Sequence, residues 1–173
     1  MILEYSLIVL LSPLLGGILA AFLGKSFGKI FVNLVTIIGV SVSFVLSVII
    51  ALEILESSAV INQNIYTWLN IGDQSFHIGL LIDNLTASMM VVVTFVSLMV
   101  HVYTIGYMHD DPGYHRFFSY ISLFTFSMLS LVMSNNFLQL FFGWEALGVM
   151  SYLLIGFWYT KESAIKANLK AFI

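Results

Sequence analysis

The chain has 173 residues, 60% of them hydrophobic and 9% charged, with a formal net charge of −3. Soluble domains carry about 25% charged residues, so a chain this apolar has too little polar surface for water and is solvated by lipid over most of its length. The lack of cysteine excludes disulfides, thiolate metal sites and thiol nucleophiles, and the small negative charge offers no basic patch for nucleic acid.

The N-terminus reads Met1-Ile2-Leu3-Glu4-Tyr5, without a basic stretch, and no small-residue cleavage site follows the first apolar run. That run is expected to be a retained helix rather than a removed signal. A membrane span needs about 20 mostly apolar residues, and five segments qualify: Tyr5–Leu23, Ile30–Leu52, Leu85–Tyr107, Phe117–Met133 and Phe137–Tyr159. A sixth helical pattern starts near Glu162 and stops at Ile173.

The link from Glu53 to Asp83 is more polar. Within it Tyr66 and Trp68 alternate before the Gly72-Asp73 turn, and Phe76, Ile78, Leu80 and Ile82 alternate after it. Period-two alternation around Gly-Asp predicts a β-hairpin at the membrane surface. Asp83 stands where the N-cap of the third helix belongs. The expected fold is an all-α polytopic membrane protein, a single membrane domain over residues 1–173. It has five complete spans, the start of a sixth, and a hairpin between spans two and three.

Topology follows from the basic residues. Lys25 and Lys29 lie between spans one and two, Arg116 between spans three and four, and Lys161, Lys166 and Lys170 after span five. Alternating spans place all six on one face, which the positive-inside rule assigns to the cytoplasm or its equivalent. The N-terminus, the hairpin and the Asn135-Asn136 turn then face outward, to the periplasmic side of a bacterial inner membrane or its mitochondrial counterpart.

Glu145 is the sharpest chemical feature, near the middle of the fifth span in Gly143-Trp144-Glu145-Ala146-Leu147-Gly148. A charge at that depth costs about 2.5–3.5 kcal/mol on insertion scales, and neighbouring Leu, Phe and Val each return about 0.3–0.6 kcal/mol. The functional reading is a proton carrier working against a nearby cation; the structural reading is a carboxyl bonded to a neighbouring helix. Gly143 and Gly148 let another helix backbone approach, and Tyr152 shares roughly the same face. No Lys or Arg lies deep in the five spans, so a cationic partner must come from elsewhere.

His101, toward the inner end of the third span, is a candidate relay, or an interfacial histidine bonded to a backbone carbonyl. His109, Asp110 and Asp111 precede Pro112-Gly113 and read as a turn rather than a metal site. Glu162, Lys166 and Lys170 share a helix face by their spacing of four. They read as a paired edge face, with Lys170 able to snorkel or to open a charged path. There is no phosphate loop, dinucleotide fingerprint or paired-Cys motif, so neither a bound metal nor a redox cofactor is expected in this chain.

These residues carry a resemblance. The stretches His101-Val102-Tyr103-Thr104-Ile105-Gly106-Tyr107-Met108, Tyr114-His115-Arg116-Phe117-Phe118, Asn136-Phe137-Leu138 and Gly143–Gly148 running into Ser151–Phe157 resemble one family. It is the antiporter-like L-type subunit of proton-pumping NADH:quinone oxidoreductase (complex I), whose mitochondrial counterpart is chain 5. Trp68-Leu69, Gly79, Asp83-Asn84-Leu85 and Lys170-Ala171-Phe172 fit it too. The run from Gly143 to Tyr159 separates this subunit from its two shorter siblings. It separates it less well from the A-type subunit of multi-subunit cation/proton antiporters.

The resemblance implies about sixteen transmembrane helices and no redox centre. NADH, FMN, iron–sulfur clusters and quinone are bound by other subunits. It implies as partners the lipid bilayer and other membrane subunits of complex I, especially the adjacent antiporter-like one. Glu145 matches the family's key glutamate of the fifth helix. Its lysine partner in the seventh helix, and an Arg and an Asp of the sixth, fall beyond Ile173. The chain therefore reads as an N-terminal piece of the larger subunit, not active alone. The competing readings are an antiporter subunit uncoupled from electron transfer and a non-conducting structural membrane module.

Overall fold

Lipid cannot satisfy backbone N–H and C=O groups, so apolar segments close their hydrogen bonds internally as helices. The computed structural model describes residues 1–57, 59–72 and 74–172. Its elements are α1 (Ile2–Ser57), β1 (Ile61–Ile71), β2 (Gln74–Ile82), α2 (Asn84–Tyr107), α3 (Tyr114–Val132), α4 (Phe137–Ile155) and α5 (Glu162–Phe172).

The first two expected spans fall within α1, which is interrupted at Gly28 (φ 83°, ψ 179°). Only glycine adopts that backbone without strain, and the short loop expected around Lys25 and Lys29 shrinks to this break. The two arms of α1 fold back antiparallel. Ser43 Oγ donates to the Val9 carbonyl at 2.8 Å, and Ser12 Oγ donates to the Gly39 carbonyl at 2.9 Å. A Cβ on Gly39 would lie 2.8 Å from the Ser12 carbonyl oxygen, so small residues set this close approach.

α2 begins as expected, with Asp83 Oδ1 accepting the Thr86 N–H at 2.7 Å. α3 starts at Tyr114, three residues before the expected span, and α4 stops at Ile155, where Gly156 turns the chain. The expected sixth helix is α5; Ile173 lies outside the described residues.

The hairpin is present as an antiparallel pair, with register shifts between Asn64 and Tyr66 and between Thr67 and Leu69. Gly72 turns it with φ 58°; its expected turn partner, Asp73, lies outside the described residues. Leu80 and Ile82 are buried against Val9, Ile54, Leu129 and Met133. Burial on that side stops at Leu80, since Ile78 is exposed, as are Tyr66 and Trp68.

α3 is the central post and touches α1, α2 and α4. Its Ser119 Oγ donates to the Gly17 carbonyl of α1 at 2.8 Å. On its other side Gly143 of α4 sits so close that a Cβ there would be 3.0 Å from Leu131 Cα. Polar side chains share the interior with apolar ones, and many large apolar side chains face outward. Buried side chains include Ser43, Thr36, Thr94, Ser122 and His101, while Leu15, Phe22, Ile38, Val96 and Phe141 are exposed. Buried hydroxyls bond the carbonyl one turn back, as in Thr36 to Val32 and Thr94 to Met90, which suits a lipid-facing exterior. Among the described residues three helices, α1, α2 and α4, are long and apolar enough to cross a membrane.

Two apolar clusters mark the ends. One joins the hairpin to the N-terminus of α1 and the C-terminus of α3. The other joins Ala20, Val32, Met108, Tyr114, Phe118 and Phe157. The second lies beside Lys29 and Arg116, which the fold brings to the same end. Lys29 Nζ donates to the His109 carbonyl and stands over the Tyr114 ring.

Candidate functional site

α4 owes its direction to one glycine. Gly143 is its buried residue, pressed on the α3 backbone at Leu131. Two residues on at 100° per residue, Glu145 emerges on roughly the opposite side. Glu145 is exposed, and so are Phe141, Trp144, Gly148 and Val149 around it. The two glycines expected to flank Glu145 on one side therefore divide. Gly143 serves the α3 contact, and Gly148, with nothing within 4 Å of a would-be Cβ, shares the open face with Glu145. Tyr152 follows on that same face, half-buried.

His101 is fully buried between α2 and α3. Its Nδ1–H donates to the Ser97 carbonyl at 2.8 Å, and the Ser122 hydroxyl stands 2.9 Å from Nε2. A carbonyl only accepts, so the neutral ring carries its proton on Nδ1 and accepts from Ser122 at Nε2. Ser97 Oγ and Thr125 Oγ1 are 2.5 Å apart beside it, and the Phe118 ring meets it edge-on. The bond to a backbone carbonyl weighed from sequence is there. His101 and Glu145 are not brought together: one is enclosed by α2 and α3, the other faces away from α3.

Lys170 is exposed on α5, one turn beyond the Lys166–Glu162 ion pair of 2.7 Å. Among the described residues no group of three or more His, Cys, Asp or Glu is placed to hold a metal. His109 Nδ1 instead meets Asp110 Oδ1 at 2.9 Å. Asp111 accepts the Gly113 N–H at 2.7 Å and the Trp158 indole N–H at 2.9 Å.

Two networks escaped sequence reading. At the hairpin end, Asn135 Nδ2 donates to Asn62 Oδ1 at 3.0 Å and to Asn64 Oδ1 at 2.8 Å, while Gly79 N–H donates to Gln139 Oε1 at 2.9 Å. The i, i+2 spacing of Asn62 and Asn64 on one strand face was the available signal. At the basic end, Arg116 lies over Phe157 and Tyr159, Lys161 lies over Trp158, and Trp158 holds Asp111. These contacts clamp the end of α4 to the α2–α3 turn.

Such a structure defines a helical membrane subunit whose mid-span carboxylate faces away from its own helices. The family described as NADH-Ubiquinone oxidoreductase (complex I), chain 5 N-terminus, matches residues 68–118. That described as NADH:quinone oxidoreductase/Mrp antiporter, TM, matches residues 134–173. The NADH-quinone oxidoreductase subunit L of Neisseria meningitidis serogroup B is 59% identical over 169 residues, covering 96% of this chain and 25% of the relative. The NADH-ubiquinone oxidoreductase chain 5 of Dictyostelium discoideum is 44% identical over 164 residues, covering 95% of this chain and 24% of the relative. The chain belongs to the family of the antiporter-like L-type (chain 5) membrane subunit of NADH:quinone oxidoreductase. It spans about a quarter of the length of the curated relatives it matches.

The Trp158 N–H, ahead of the Gly113 N–H and the charges of Arg116 and Lys161, holds the Asp111 carboxyl below its ordinary value of 3.8, against a smaller opposing effect of burial. A depressed folded-state pKa contributes stability that is complete above the unfolded value and is lost as pH falls through the folded one. Trp158→Phe keeps the ring and removes the donor. It is expected to move the Asp111 titration midpoint upward, read by carboxyl-carbon NMR, and to start acid loosening of the α2–α3 turn at higher pH. An unchanged midpoint contradicts the indole bond.

Proposed function

We propose that the chain forms part of a membrane subunit of respiratory NADH:quinone oxidoreductase. There it contributes to proton translocation coupled to electron transfer from NADH to quinone. The observation that carries this is Glu145, mid-helix on the face of α4 that the described helices leave uncovered. A carboxylate turned to hydrocarbon costs several kcal/mol, so that face is suited to more protein and water, not lipid. Relatives about four times as long have the chain length to supply that cover. Glu145 accepts a proton when its cationic partner withdraws and releases it when the partner returns, and Tyr152 lies along the same face. His101, bonded at both ring nitrogens, holds α2 to α3; a relay through it requires breaking one of those bonds. Lys170 serves as an entry for charge from the basic side. The chain binds no redox cofactor itself, and its partners are the other membrane subunits, the adjacent antiporter-like one first.

We further propose five complete spans, with the two arms of α1 counted separately, and an N-terminus on the outward side. The clustering of Lys29, Arg116 and Lys161 at one end supports this through the positive-inside rule. The chain has no cysteine, so single cysteines report orientation directly. An impermeant maleimide added to intact cells is expected to label Asn70→Cys in the hairpin, and Ser26→Cys only after permeabilisation. The reverse pattern contradicts the orientation.

The shared description of the match over residues 134–173 favours a second reading, a cation/proton antiporter subunit not driven by electron transfer. Glu145→Gln in the full-length subunit separates the readings. The respiratory reading expects assembly and NADH oxidation to persist while proton transfer through this site slows by about 10²–10⁴-fold, the usual contribution of a positioned proton carrier. The measurement is protons moved per electron in sealed vesicles. Normal stoichiometry would falsify the role of Glu145. Loss of assembly points to a structural carboxyl, and cation exchange that persists without NADH points to the antiporter.

A further inference from the structure

The basic end holds a group that proton transfer does not use. Arg116, half-buried in the first turn of α3, has its guanidinium 4.7 Å from the Phe157 ring centroid and 5.7 Å from that of Tyr159. Its hydrogen bond to the Phe157 carbonyl is long, at 3.4 Å, and its Nε–H is buried with no acceptor among the described residues. Among the described residues no carboxylate lies within ion-pair distance of it. The nearby Asp111 has both oxygens engaged, by Gly113 and by Trp158. A guanidinium has five N–H donors in a rigid fork, so most of its capacity is unmatched. It borders a pocket of about 230 Å³ lined with Pro112, Gly113, His115 and Tyr159. A second pocket of about 380 Å³ shares Pro112 and His115 with the first and is lined by Lys25 and Lys29 and also by Asp110 and Asp111, of which Asp110 meets His109 and Asp111 is held by Gly113 and Trp158.

Two further facts set the depth and the sign. Tyr107 and Trp158 rings meet at 6.3 Å beside the pocket, with Tyr103 stacked on Tyr107; such amphipathic rings sit at headgroup level. Gly113 gives α3 no side-chain cap; Asp111 takes the Gly113 N–H with its carboxylate and the Tyr114 N–H with its carbonyl, and the rest of the first turn adds the helix dipole to the charge of Arg116.

We infer that the Arg116 pocket takes the phosphate of an anionic phospholipid, with Lys25 and Lys29 drawing the headgroup in from the adjoining pocket. Arginine matches phosphate in a bidentate fork. Basic pockets between membrane helices on the cytoplasmic side recognise such headgroups. The site does not depend on whether Glu145 carries protons, and the two fail separately.

The test uses the full-length subunit in its own membrane, with phosphatidylglycerol and phosphatidylcholine analogues that each bear a photoreactive diazirine near the headgroup. Crosslinks are mapped by mass spectrometry to residues 112–118 and 157–161. Phosphatidylglycerol is expected to label these segments about fivefold more than phosphatidylcholine, the factor for about 1 kcal/mol of basic-residue attraction. Arg116→Gln is expected to remove the difference and Arg116→Lys to keep part of it. In the wild type the difference shrinks as salt rises, a reading that holds even if a variant folds poorly. Labelling that survives excess inorganic phosphate at constant ionic strength supports the lipid headgroup; labelling lost to it assigns the pocket to free phosphate and overturns the lipid. Equal labelling by the two lipids, or a preference unchanged in Arg116→Gln, overturns the site itself.

Discussion

Each polar group that enters hydrocarbon must find its partner within the protein, and the architecture follows from that. α3 shows how. Its hydroxyls point inward, Ser119 to the Gly17 carbonyl and Ser122 to His101, with Thr125 beside Ser97. Glycines allow close approach on two of its flanks, Gly17 on α1 and Gly143 on α4. The hydrophobic effect cannot drive helices together in lipid, so close backbone approach and interhelical hydrogen bonds take its place. The antiparallel arms of α1 use the same device through Ser12, Ser43 and Gly39.

Against that background Glu145 is the exception. Buried Ser43, Thr94, Ser119, Ser122 and His101 find partners among α1, α2 and α3, with Ser47 Oγ left without one among the described residues, while the one mid-span carboxylate of α4 points the other way. The direction is set by packing. Once Gly143 faces Leu131, the helical repeat turns Glu145, Gly148 and Tyr152 outward together. The clamp of Asp111, Trp158, Arg116 and Phe157 then holds the lower end of α4 against the α2–α3 turn. Glu145 is presented at a defined height and azimuth on the face of α4 that the described helices leave uncovered.

Much of this was legible in the sequence because hydropathy and charge are local. The starts of α2 and α4, the Asp83 cap, the hairpin and the grouping of basic residues all rest on short-range pattern. Glu145 stood out because a lone charge in an apolar run has no local explanation. The break at Gly28 was less visible, since Lys25 to Lys29 looked like a loop and the helix persists almost through it. The Asn62–Asn64–Asn135 network and the Arg116–Phe157–Trp158–Asp111 clamp depend on residues roughly 40 to 70 positions apart, which no window of local pattern contains. The split between Gly143 and Gly148 needed the position of α3, and so did the enclosure of His101.

The most direct test of the central claim is redox-triggered difference infrared spectroscopy on the full-length subunit in its assembled complex, comparing wild type with Glu145→Gln. If Glu145 takes up and releases a proton during turnover, the wild type shows a protonated-carboxyl C=O band that shifts in deuterium oxide and disappears in the variant. If the two difference spectra coincide in that region while turnover continues, Glu145 keeps one protonation state throughout and is a structural group.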